Sequence, residues 1–298
     1  MKVFVLFLWL VLAVACNNAT LKNIEAENKR LKEELELFKN LENNRQKAMQ
    51  HADTRMFKLE NERDILSVLF DTEDFDVNER AVWTPNFDER LNFPVSYDGF
   101  CYTTMDKVLL YNDNFARAII VFGTYEIMDD GQPNDGHSSA PMLSLAYFTQ
   151  RGANEWELST FRKSFVHHGS WGEMGDVEIK QVGKQKFVLD LSWGYSNMGE
   201  ATSWTSYYSI PNFEVIFGIA TAHSFTSFED DDGKAYDYET RLTVKPSDKE
   251  YFDIIAETTG TKPNNKEDEE VVISANNDQL FYYNEQAGVY VEKITYKY

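Results

Sequence analysis

One segment of the chain combines residue types that could catalyse a reaction. Between His167 and Asp176 a glycine-rich loop carries a tryptophan, Trp171, and two acidic residues, Glu173 and Asp176. Glycosidases use two carboxyl groups beside the scissile bond, one as the acid and the other as the base or nucleophile. A neighbouring indole ring could stack on the sugar. Glu173 and Asp176 are therefore the candidate catalytic residues of a glycan hydrolase.

A binding site without catalysis accounts for the same residues more simply. Trp171, Tyr195 and Trp204 follow one another within a short stretch of an acidic, strand-rich region. In such a region some carboxylates lie near a tryptophan by chance. We therefore expect a non-catalytic binding or scaffold module, with a site for a protein or glycan ligand at these three aromatic residues and no cofactor, and treat the hydrolase as the alternative.

A second acidic segment approximates a calcium-binding loop. Asp230, Asp232 and Glu239 stand where oxygen ligands are found in such loops, and Gly233 stands at the turn. The first ligand position is Phe228, which has no side-chain oxygen. We expect an exposed acidic hairpin tip without a metal, and calcium binding at Asp230, Asp232 and Glu239 is the alternative.

The overall composition excludes two classes of protein. The 298 residues carry a net charge of −20, whereas nucleic-acid binding needs clustered lysine and arginine. Two cysteines cannot form a disulfide scaffold. We expect Cys101 to be a buried apolar residue.

The N-terminus reads as a signal peptide over residues 1–15. Lys2 precedes an apolar run, Val3–Ala15, that is too short to span a bilayer comfortably. Ala13-Val14-Ala15-Cys16 then resembles the bacterial lipoprotein signal, although Ala13 stands where leucine is usual. Over residues 1–16 the resemblance implies cleavage before Cys16, lipidation of Cys16 and a membrane-anchored place in the cell envelope, in the periplasm or on the cell surface. The alternative is a secreted protein, including a eukaryotic glycoprotein modified at Asn18.

Residues 16–70 have the pattern of a long coiled-coil stalk. The segment contains no proline or glycine, and apolar residues recur at a spacing of 3 and 4. In a parallel dimer, oppositely charged flanking residues would attract each other in the pairs Glu27–Lys32, Glu34–Lys39 and Arg55–Glu60. Asn28 in the seam favours a coiled coil of two helices. We predict a self-associating parallel coiled coil. The alternative is an amphipathic helix that folds back on its own head domain. The seam is Leu21, Ile24, Asn28, Leu31, Leu35, Phe38, Glu42, Arg45, Met49, Ala52, Met56, Leu59, Arg63, Leu66 and Phe70.

The rest of the chain reads as a connector followed by an all-β antiparallel head domain. Residues 71–100 contain Pro85 and Pro94 and few apolar runs. From residue 101 to residue 298, short β-rich runs alternate with glycine, asparagine and aspartate turns, in three meanders near 107–161, 178–221 and 238–296. This pattern predicts either a β-sandwich or a propeller-like arrangement of meanders.

Replacing Cys16 with serine tests the predicted anchor. The lipid is attached to the cysteine sulfur, so full-length Cys16→Ser expressed in bacteria should lose all incorporation of radiolabelled palmitate. Cys101→Ser is the matched control and should keep the label. A natural sequence that takes up no label would contradict lipidation and favour the secreted protein.

Overall fold

The computed structural model describes residues 56–85, 99–128, 134, 136, 139–197, 199–225, 235–264, 271–274 and 277–293. The chain divides into two compact units, residues 1–52 and residues 53–298. The first unit lies outside the described residues, so the following account concerns the second.

The second unit consists mainly of antiparallel strands. Its helix, α1, spans Glu62–Phe70. The strands are β1 (Met56–Phe57), β2 (Ala81–Trp83), β3 (Cys101–Asn112), β4 (Ala116–Glu126), β5 (Met142–Gln150), β6 (Trp156–His167), β7 (Gly169–Ser170), β8 (Glu173–Met174), β9 (Asp176–Gly183), β10 (Lys186–Asn197), β11 (Glu200–Ser209), β12 (Val215–Phe225), β13 (Tyr236–Lys245), β14 (Asp253–Asn264), β15 (Val271–Ser274), β16 (Asn277–Asn284) and β17 (Val289–Glu292).

The strands form two large sheets and one small hairpin. The first sheet has the order β1-β6-β5-β4-β3-β2. The second has the order β17-β16-β14-β13-β12-β11-β10-β9. Outside this order, β15 pairs with the last residues of β14. Hairpin β7–β8 lies in the connection between the two sheets. Most neighbouring strands are also neighbours in sequence, as expected for a chain with short turns.

Strands β9–β12 form a middle layer whose two faces are both buried. Leu189 on β10 and Tyr208 on β11 pack with Ile119 and Leu145 of the first sheet. Val188 and Tyr207 point to the opposite face and pack with later strands of the second sheet. Because successive side chains of a strand alternate between faces, one run of apolar residues supplies two cores.

Strands β13–β17 form the layer behind this middle layer. Ile254 on β14 and Tyr290 on β17 belong to the rear core. β13 pairs with β12 only over residues 222–225, at the end of β12. The strands from β13 onward can therefore turn away from β12 and lie behind the middle layer, although they belong to the same sheet. At the other end, the Lys184 amide donates to the Glu250 carbonyl at 3.0 Å and the Phe252 amide to the Val182 carbonyl at 2.7 Å.

Gly183 is required at this second junction. A Cβ atom there would lie 2.1 Å from the Glu250 carbonyl oxygen, closer than a side chain can be placed. The two junctions hold the rear layer against β9–β12 at both ends.

Helix α1 packs on the outer face of the first sheet. Asn61 caps its first turn by accepting a hydrogen bond from the Asp64 amide, and Asp71 ends it in the left-handed conformation. Phe70 is completely buried, with ring centroids 5.4 Å from Phe122 and 5.7 Å from Phe161. Through these contacts the helix packs as part of the β-rich second unit.

The coiled-coil prediction is therefore wrong for residues 56–70. Met56 begins a strand, and the buried side of the helix, which includes Leu66 and Phe70, faces the chain's own sheet rather than a second helix. An apolar stripe of helical period needs a covering surface but does not specify which one. Residues 16–55 of the predicted stalk, and the predicted signal peptide, lie outside the described residues. Among the described residues, no helix is long and apolar enough to cross a membrane.

The prediction of an all-β antiparallel head is confirmed, and its layers stack as in a sandwich rather than around a propeller axis. The first predicted meander becomes the first sheet, and the other two join into the second. The first sheet also includes β1 and β2, from segments assigned to the stalk and the connector. Cys101 is fully buried at the start of β3, as expected.

Truncating Phe70 tests whether the helix belongs to the head. Phe70→Ala should lower the free energy of unfolding by about 3–5 kcal/mol, because a fully buried ring leaves a cavity in a packed core. Urea denaturation of the full chain measures this. Val77→Ala is the control, since Val77 is 98% exposed, and should change the free energy by less than about 0.5 kcal/mol. Equal stabilities would contradict the packing of α1.

Candidate functional site

The candidate catalytic and aromatic residues selected from the sequence meet at one end of the second unit, which we call the distal end. It contains the last residues of β6, β10 and β12 and the first residues of β9, β11 and β13. Hairpin β7–β8 lies there, directly after His167. The opposite end contains Met56, which pairs with Glu157 near the start of β6.

Glycines let hairpin β7–β8 lie against β10. A Cβ atom at Gly169, where φ is 123°, would lie 1.9 Å from the Glu173 carbonyl oxygen, and one at Gly175 would lie 2.8 Å from the Cβ atom of Trp193. The Ser170 hydroxyl then donates to the Gly194 carbonyl at 2.8 Å. The hairpin is thereby held at a defined position on the middle layer.

A buried histidine supports the hairpin from below. His168 is only 2% exposed, and an Nε2–H on its ring donates to the Asp176 carbonyl at 2.9 Å. Burial lowers the pKa of His168, and the hydrogen bond to Asp176 opposes this only in part. Folding therefore favours the neutral form of the His168 imidazole.

The two candidate carboxylates line the same groove. This groove has a volume of about 220 Å³ and lies between the hairpin and the edge of β10. Both acidic residues are exposed. Its lining residues are Gly169, Ser170, Glu173, Met174, Gly175, Asp176, Ser192, Trp193 and Gly194.

An aromatic surface continues from the groove across four strands. In the strand register Tyr195 pairs with Thr202, Thr202 with His223, and His223 with Tyr238. Directly paired residues share a face of a sheet, so these side chains lie on the face that packs, farther along β10 and β11, against the first sheet. We call this surface the aromatic strip. It consists of Trp193, Tyr195, Trp204, His223, Phe225, Tyr236 and Tyr238.

Most rings of the strip contact a neighbouring ring while keeping part of their surface in solvent. Trp193 and Trp204 have centroids 5.0 Å apart at an interplanar angle of 31°. The ring centroid of Tyr236 lies 5.0 Å from that of His223 and 5.9 Å from that of Phe225. Phe225 is 37% exposed. The other rings are half-buried. Mutual contact holds these rings in place without covering them.

A polar cluster borders the strip on β11–β13. The Nε2 atom of His223 lies 2.9 Å from a Glu200 carboxylate oxygen and 3.0 Å from the Tyr236 hydroxyl. An Nε2–H there donates to Glu200. Burial and the Glu200 carboxylate raise the pKa of Tyr236, which keeps its hydroxyl protonated. The strip thus has both flat apolar faces and groups that can hydrogen-bond a ligand.

The structure brings most of the predicted site residues together. Tyr195 and Trp204 belong to the strip, and Glu173 and Asp176 line the adjacent groove. Trp171 is at the turn of hairpin β7–β8, where it is 49% exposed. The hydrogen bond between Ser170 and Gly194 attaches that hairpin to the groove.

Of the residues predicted for the metal and lipid sites, only Glu239 is among the described residues. Glu239 is exposed on β13, on the face opposite Tyr238. Asp230, Asp232 and Cys16 lie outside the described residues. Within the described ranges no group of three or more His, Cys, Asp or Glu side chains is placed to hold a metal ion.

Sequence reasoning missed four rings of the strip and its full extent. Nothing in the sequence assigns His223, Phe225, Tyr236 or Tyr238 to a ligand site, whereas Trp193, two residues before Tyr195, is already a candidate for stacking on a sugar. The usable signal was alternation, since His223 with Phe225 and Tyr236 with Tyr238 each lie two residues apart and so share a face. That signal does not say which face is left open.

No protein-family model, no curated protein and no solved structure matches this chain.

Acid should loosen the base of the hairpin. Because folding lowers the pKa of His168, its contribution to stability is complete above the unfolded value of about 6.5 and is lost as the pH falls below it. The free energy of unfolding, measured with urea between pH 7.5 and pH 5, should therefore fall more steeply for the natural chain than for His168→Gln, which has no titrating ring. Parallel curves for the two chains would contradict this role.

Proposed function

We propose that the protein is a membrane-anchored, non-catalytic binding lipoprotein of the cell envelope. Its acidic β-domain would present a ligand site away from the bilayer. The aromatic strip carries this proposal, because monomeric domains seldom leave several touching aromatic rings partly exposed on one face without a partner. The ligand would be a glycan or a protein.

The position of the strip within the second unit supports presentation to an external ligand. The described chain begins at Met56, beside the start of β6, and the site begins after the last residue of β6. Twelve residues of strand at about 3.3 Å each separate these points by about 40 Å. A chain that arrives at Met56 from an anchor therefore reaches the end of the domain that does not hold the strip.

The anchor and the stalk complete the proposal. Lipidation at Cys16 would attach the chain, and self-pairing in parallel through the seam from Leu21 to Ala52 would double the number of lipids. Two acylated chains hold a membrane far more firmly than one. Residues 71–298 hold 18 lysine and arginine residues against 39 aspartate and glutamate residues, and this net charge of −21 would keep the domain off an anionic bilayer.

A glycan hydrolase is the second candidate, and one observation favours it. Glu173 and Asp176 line a single groove that also includes Trp193, the first ring of the strip. A pair of carboxylates beside a sugar platform is the arrangement that glycosidases use.

Binding to an array tests the proposal directly. The full chain, labelled with a fluorophore, is applied to an array of oligosaccharides and peptides. At least one class of probe should be retained, and Trp193→Ala with Trp204→Ala should weaken retention at least tenfold, because central aromatic anchors dominate binding energy. Tyr282→Ala is the matched control. Tyr282 is 39% exposed on β16 and should leave retention unchanged.

The same array separates the two candidates. The binding protein should leave the printed oligosaccharides intact, with or without Glu173→Gln or Asp176→Asn. Release of reducing ends that Glu173→Gln abolishes would support the hydrolase instead. Retention of no probe, or retention that the two tryptophan substitutions do not alter, would contradict a binding role for the strip.

A further inference from the structure

We infer that the aromatic strip binds a glycan chain of pyranose residues that carries no acidic groups. This inference rests on the proposed binding function and names its ligand class. It is drawn from the shape, the hydrogen-bonding groups and the charge of the distal end.

The shape of the strip suits an extended chain of rings. It crosses β10, β11, β12 and β13, whose axes lie about 4.8 Å apart, so it is about 14 Å long. The face of an aromatic ring carries negative charge density and attracts the positively polarised C–H groups of a pyranose. A row of partly exposed rings therefore offers successive stacking positions rather than one deep pocket.

The hydrogen-bonding groups favour sugar hydroxyls over a peptide. Among the described residues, Glu200, Glu173 and Asp176 place carboxylates beside the strip, and a carboxylate only accepts hydrogen bonds. Sugar hydroxyls can donate to them. A polyproline-type peptide has no N–H at its prolines to donate to these carboxylates.

β11, which lies at the centre of the strip, cannot accept an added peptide strand. It pairs along its length with β10 and β12. Its backbone groups are therefore already used, and a peptide has no sheet edge to extend there.

The charge of the distal end selects against acidic sugars. In the part of the chain that the structure describes, no lysine or arginine lines the groove, whereas two carboxylates do. Together with Glu200 and the net charge of −20, they repel a uronic acid chain and leave neutral or amino-bearing sugars as ligands.

Isothermal titration calorimetry of the full chain tests the ligand class. The probes are the hexamers of N-acetylglucosamine, glucosamine and galacturonic acid, and a proline-rich decapeptide. One or both of the non-acidic hexamers should bind at least tenfold more tightly than the acidic hexamer or the peptide.

Two substitutions assign the binding to the strip. Trp204→Ala should weaken binding of the non-acidic hexamer at least tenfold, and Trp204→Phe, which keeps a ring, should weaken it less. Glu200 lies on the exposed border of the strip, so Glu200→Gln serves as a second variant if the Trp204→Ala protein does not fold. It should weaken binding about threefold or more. Tyr282→Ala should bind as the natural chain does.

Three results would overturn the inference: no binding of either non-acidic hexamer, equal or tighter binding of the acidic hexamer or the peptide, or binding that neither Trp204→Ala nor Glu200→Gln weakens. Its failure can be told apart from failure of the proposed function. Array binding of peptides or acidic glycans that depends on Trp193 and Trp204 would leave the binding function standing and remove only the ligand class.

Discussion

Burial of both faces of the β9–β12 layer is the constraint on which the other features of the second unit depend. A sheet that is apolar on both sides must be covered twice. The first sheet covers the face of Leu189 and Tyr208, and the C-terminal strands cover the face of Val188 and Tyr207. The long C-terminal meander is thus explained by the need for a second covering layer.

Charge inside this double core is tolerated because it is paired. Asp190 is buried, and its carboxylate accepts from the Lys180 ammonium at 2.8 Å and from the Ser192 hydroxyl at 3.1 Å. Lys180 also donates to the Tyr207 hydroxyl at 3.0 Å. These bonds connect β9, β10 and β11 across the rear face. A buried carboxylate without such partners would strongly destabilise the fold.

The same layer also produces the candidate site. At the distal end the front face of β10 and β11 continues from the shared core into the aromatic strip, where the rings are only half covered. The hairpin that connects the two sheets rests on this extension, and two carboxylates lie beside it, Glu173 from the hairpin and Asp176 from the start of β9. The site is therefore a consequence of how the sheets are joined, and His168 and Gly175 matter because they allow the connection to lie flat against Trp193.

The sequence by itself determined the strand content, most strand positions and the acidic character, because alternation, turn residues and charge are local properties. It also selected Glu173, Asp176, Tyr195 and Trp204 as site residues. Only the tertiary structure decided how the sheets stack, which face of β10–β13 stays partly open and what covers Phe70. The reason is the same in each case. A periodic pattern shows that a stripe or face must be covered, but the covering surface comes from residues far away in sequence, as Phe122 and Phe161 do for Phe70.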